Sequence, residues 1–205
     1  MMQKNKRMQD KAPRGRMMQI EAVNKTLNKG IQRPSWDEYF MNIARDISLR
    51  GTCICVRIGC VIVKDKRILS TGYVGAPRKT KDCIQRDACL RRSLNIPSGH
   101  RYELCRSVHA EQNAIINAAR DGAKIEGSQM YIYGTKINTE DGREKLITVY
   151  PCFICKKMII NAGIEKVYSM TESSKIKEFD VKDDWVKRWQ TDDMLDDKEI
   201  YSIKH

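Results

Sequence analysis

The chain of 205 residues holds only three histidines, and no aromatic residue occurs before Trp36. No apolar run reaches the roughly 18 residues that a membrane-spanning helix needs, so no membrane segment is expected. The opening stretch MMQKNKRMQDKAPRGRMMQI lacks the apolar core of a secretory signal, and the expectation is a cytoplasmic protein. No internal repeat is visible. Positive charge and cysteine are abundant instead. The net charge is +12, and residues 1–34 carry +7 of it. Residues 1–33 read as a basic, disordered arm. Such an arm can make weak contacts with nucleic acid, but without aromatics it offers no base-stacking platform. Eight cysteines are many for a reducing compartment, where such clusters bind metal more often than they form disulfides.

Ser35 and Glu38 have the spacing of a capping box. Trp36, Tyr39, Phe40, Ile43, Ala44 and Ile47 follow at helical spacing, which predicts a helix ending near Arg50–Gly51. RIGCVIV (57–63) and ILSTGYV (68–74), joined by the tight turn KDKR, predict a hairpin. A cysteine-bearing loop runs from Gly75 to about Tyr102, with at most one short helix around Ala88–Asn95. Further elements follow in order. A helix is expected over 109–120 and a strand over 129–134. The polar stretch 136–148 is expected to form a hairpin turning at Asp141–Gly142. A third helix has Pro151 in its first turn and Gly163 past its end, and a strand covers 165–170. Residues 171–205 read as a charged extension with an amphipathic piece around Val181–Trp189. This order is that of an α/β layered domain over 34–170, a mixed sheet covered by helices.

In CRSVHAEQNAI (105–115), His109 and Glu111 open a predicted helix. A Glu there suits the positive end of any helix dipole, so the pair means little alone. PCFIC (151–155) changes that. Cys152 and Cys155 share one face of a helix start, where the dipole and Lys156 and Lys157 favour thiolates. One nitrogen and two sulfurs leave the fourth tetrahedral position open, as in a catalytic rather than a structural zinc site. Glu111 is then free to carry protons to and from the water that zinc makes acidic. His-x-Glu followed by Pro-Cys-x-x-Cys is the signature of the zinc deaminases, in which water replaces an exocyclic amine as ammonia leaves.

HAEQNAI, PCFIC and GYVGAP (72–77) together resemble the deoxycytidylate deaminase family of the cytidine deaminase superfamily, over about residues 34–170. The resemblance implies a cytidine-deaminase-like three-layer α/β/α fold with a mixed five-stranded sheet. It implies conversion of dCMP to dUMP, catalytic zinc on His109, Cys152 and Cys155, and Glu111 as proton shuttle. Members are often oligomers, so a homo-oligomer is implied. Some hold a second, structural zinc. Here its ligands would be Cys53, Cys83 and Cys105, closed by Cys89 or His100. Val74, Gly75, Ala76 and Pro77 correspond to the substrate loop, Arg78 to a phosphate contact, and Arg120 to a nucleotide or subunit contact. Two departures stand out. Val74 replaces an Asn whose amide helps hold the sugar, and 136–148 is longer than in many relatives.

Three functions compete: a deaminase of free nucleotides, a deaminase of adenosine in transfer RNA, and a non-catalytic module that zinc merely stabilises. HAEQNAI with GYVGAP looks like the free-nucleotide branch.

Overall fold

The computed structural model describes residues 33–97 and 100–191. Apart from Arg33, the expected N-terminal arm lies outside the described residues, as do residues 192–205 of the expected extension. The chain divides into two units, Met1–Pro34 and Ser35–His205, and every described element belongs to the second. No helix among the described residues is long and apolar enough to cross a membrane.

Helix α1 (Trp36–Ser48) starts at its capping box: the Glu38 amide donates to Ser35 Oγ at 3.2 Å, and the Ser35 amide to Glu38 Oε2 at 2.8 Å. Strands β1 (Val56–Lys64) and β2 (Arg67–Tyr73) form the antiparallel hairpin. The cysteine-bearing loop holds two short helices, α2 (Cys83–Arg86) and α3 (Leu90–Ser93), and a 3₁₀ turn at Tyr102–Leu104, where one helix was expected. Then come α4 (Ala110–Asp121), β3 (Gln129–Ile137), β4 (Glu144–Leu146), α5 (Phe153–Asn161), β5 (Lys166–Met170) and β6 (Ile176–Asp180). A π-helical turn over Val181–Val186 leads into α6 (Lys187–Thr191). Helix α5 begins two residues later than expected: Cys152 is its N-cap, so Pro151 precedes the helix.

The sheet runs β2-β1-β3-β5-β6. β3 is antiparallel to β1 and parallel to β5, and β4 pairs antiparallel with the end of β3. It therefore has six strands, not the expected five. β6 was missed because it is an edge strand. Of IKEFD only Phe179 is buried, and charged side chains on an edge discourage pairing with other chains. Trp185, just beyond, is fully buried, so the segment read as a charged extension supplies both an edge and a core side chain.

Alternate residues of the central strands point to opposite faces. Val61, Val63, Tyr131 and Tyr168 pack with Phe40, Met41 and Ala44 of α1. Cys60, Ile62, Met130, Ile132 and Val167 pack with Ala110 and Ala114 of α4 and Ile159 of α5. Each large apolar side chain so buried contributes about 1.5–3 kcal/mol. Two glycines let the helices lie close. A Cβ at Gly59 would fall 2.1 Å from the Ala44 carbonyl oxygen, and one at Gly72 would fall 2.3 Å from that of Ala110. Helices α4 and α5 thus share one face, with both N-termini available to one site.

Candidate metal centre

The chain reaches His109 through a two-way bridge. The Gly75 amide donates to the Val108 carbonyl at 3.2 Å, and the Val108 amide to the Gly75 carbonyl at 2.8 Å. His109 is the N-cap of α4, and its own amide donates to Gln112 Oε1 at 3.1 Å. Cys152 caps α5, and Cys155 lies in that helix's first turn. His109 Nδ1 is 3.5 Å from Cys152 Sγ and 3.4 Å from Cys155 Sγ. The three donor atoms all lie within 4.8 Å of one another. Zn–S bonds of about 2.3 Å and a Zn–N bond of about 2.0 Å at a tetrahedral angle put N and S about 3.5 Å apart. The donor set and its spacing therefore fit zinc.

The titratable groups of the centre shift one another. The Cys155 thiol donates to Cys152 and holds its pKa down to about 4, with His109 adding to the effect. The Cys155 thiol is pushed up by the same contact. Burial opposes charge on His109, yet the contact with Cys152 and the nearby Glu111 carboxylate outweigh it, and its pKa is raised. Glu111 is only 4% exposed. Burial pushes its carboxyl above the usual range against the pull of His109, and the Cys155 thiol faces it.

The second expected group is looser. Cys53 and Cys83 are buried, while Cys89 and Cys105 are half-buried. The Cys55 amide donates to Cys53 Sγ at 3.4 Å, and the Cys55 thiol draws the Cys53 pKa down to about 6. Burial raises the Cys83 thiol, which also feels Cys53, Cys89 and Cys105. These sulfurs are neighbours, but among the described residues they form no metal-holding group as tight as the first. His100 is exposed and its amide bonds to Pro97. Cys55 was not among the sequence candidates, although its spacing from Cys53 was a signal.

In the GYVGAP loop the amides are already engaged. Val74 N–H donates to Ile58, Gly75 N–H to Val108, and Ala76 N–H to Thr52 Oγ1. The Val74 side chain is buried. Pro77 and Arg78 are exposed, and Arg120 is exposed in the last turn of α4. Sequence reasoning passed over Tyr102 and Arg91. The Tyr102 ring meets that of His109 edge-on, and the Arg91 guanidinium lies over Tyr102. No spacing rule links these residues, because an irregular loop brings them together.

An α/β fold with a His-Cys-Cys centre at two helix starts defines a class. The chain belongs to the family described as the cytidine and deoxycytidylate deaminase zinc-binding region, whose model matches residues 34–171. Among curated relatives, the deoxycytidylate deaminase of Saccharomyces cerevisiae is 34% identical over 149 residues, covering 70% of this chain and 42% of its own. That of Mycobacterium phage D29 is 34% identical over 148 residues, covering 70% of this chain and 100% of its own. The chain thus spans about two fifths of the yeast relative. The apo crystal structure of a dCMP deaminase from the cyanophage S-TIM5 is 27% identical and covers 66% of this chain and 82% of its own. Its TM-score is 0.46.

Proposed function

We propose that the protein hydrolyses dCMP to dUMP and ammonia. The observation that carries this reading is the buried Glu111 carboxyl beside His109, Cys152 and Cys155 at zinc-ligand spacing. The family and the names of the relatives support the substrate class. His109, Cys152 and Cys155 would hold zinc, which when bound acidifies water so that a nucleophile exists at neutral pH. Glu111 takes the proton of the attacking water. It delivers that proton to the pyrimidine ring nitrogen, then carries the water's second proton from the new hydroxyl to the departing amine, so that ammonia leaves as the ring carbonyl forms. Its raised pKa suits both halves of that task, because burial makes the carboxylate a stronger base than an exposed one while leaving it able to release the proton.

We also propose a second, structural zinc held by Cys53, Cys83 and Cys105. Cys89 is the better fourth ligand than His100, because it is half-buried like Cys105 while His100 is exposed. The Val74 side chain can donate nothing to the sugar, so the nucleotide must be oriented by other groups.

Ammonia release from cytidine, deoxycytidine, CMP, dCMP, dCTP and a transfer RNA tests the function. dCMP should show the highest kcat/KM. Turnover of deoxycytidine at the dCMP rate would remove the phosphate from the proposal, and release from transfer RNA alone would overturn it.

A further inference from the structure

A metal-binding imidazole needs something to fix its ring, usually a hydrogen bond to the nitrogen that does not face the metal. His109 turns Nδ1 toward Cys152 and Cys155. Among the described residues an aromatic contact bears on the orientation of its ring. Tyr102, in the turn just upstream, supplies it. The two ring centroids are 4.9 Å apart at 86°, the edge-to-face arrangement that aromatic quadrupoles favour.

Tyr102 is itself held. The Arg91 guanidinium carbon lies 5.0 Å from its ring centroid, within the range of cation–π attraction. Arg91 is anchored through Nη2, which donates to the Pro97 carbonyl at 2.7 Å. Its neighbour Arg92 donates from Nη1 to Thr139 Oγ1 at 2.9 Å, which ties α3 to the β3–β4 hairpin. The 136–148 stretch therefore braces the loop that reaches the metal centre.

We propose that Tyr102 is a positioning residue for His109, and that its ring, clamped by Arg91, keeps the imidazole turned toward Cys152 and Cys155. This rests on the zinc reading of the site, but the test reads the metal alone. Zinc affinity is measured on the full chain by competition with a chromophoric chelator, and the visible spectrum of the cobalt-substituted protein reports ligand geometry. Tyr102→Ala should lower zinc affinity about tenfold or more and shift the cobalt bands. Tyr102→Phe should restore both, because the ring and not the hydroxyl makes the contact. Arg91→Ala should fall between them.

Wild-type affinity and spectrum in Tyr102→Ala would overturn the proposal, as would equal losses in Tyr102→Phe and Tyr102→Ala. Should Tyr102→Ala fail to fold, Arg91→Ala decides, and unchanged affinity there overturns the proposal. A wild-type protein that binds zinc but leaves dCMP untouched would sink the deaminase reading without altering these metal measurements.

Discussion

The two cysteine groups of this molecule place their sulfurs by different means. His109, Cys152 and Cys155 stand at the starts of two long helices packed on one sheet face. Their spacing follows from regular elements, and it closes to ligand distance. Cys53, Cys55, Cys83, Cys89 and Cys105 come from loops, short helices and their flanks. They gather without closing as tightly. Ligands on rigid elements are preorganised, whereas ligands on loops need the metal to complete their arrangement, so that binding energy becomes folding energy. The geometry of the first group thus suits the proposed chemistry, and that of the second suits the proposed structural zinc.

Three measurements would break or sharpen this contrast. Glu111→Gln has the largest expected effect, because it removes the proposed proton carrier and leaves every proposed ligand. Turnover should drop about 10²- to 10⁴-fold with zinc content and fold unchanged by metal analysis and circular dichroism. Near-normal ammonia release would take Glu111 out of the mechanism.

The second measurement compares thiolates in metal-stripped protein. Cys152 and Cys53 are equally hidden, at 7% exposure each, but their pKa values are lowered to about 4 and about 6. A lowered thiol is thiolate above its own pKa. Alkylation of Cys152 should therefore be flat between pH 5 and pH 7, while that of Cys53 should rise about tenfold over the same interval. Mass spectrometry of both peptides reads the difference, and matching pH profiles would erase it.

The smallest effect on turnover is expected from Cys105→Ser. It should reduce zinc from two per chain to one and lower the melting temperature, with kcat nearly unchanged. One zinc in the wild type would remove the second site altogether.

Legibility followed the same division. The capping box of α1, the starts of α4 and α5 and the paired strands are written in local patterns, so the four residues His109, Glu111, Cys152 and Cys155 stood out before any fold was known. Their convergence depends on Cys60, Ile62 and Ile132 facing both helices, which alternation along the strands encodes. The rest has no period to read. β6 has one buried residue in five, and its polar face hid it. Arg91 reaches Tyr102, and Tyr102 reaches His109, through a loop whose path depends on tertiary contacts.

Gly72 carries a consequence for inheritance. A Cβ there would meet the backbone of Ala114 and of Ala110, the residue directly after His109. Any side chain at this place must lift the start of α4 from the sheet, and His109, the proposed metal ligand, rises with it. The position can therefore not drift by small steps as most strand positions do. A lineage that loses this glycine loses the depth at which its histidine sits, although residue 72 itself has no side chain with which to touch a metal or a substrate.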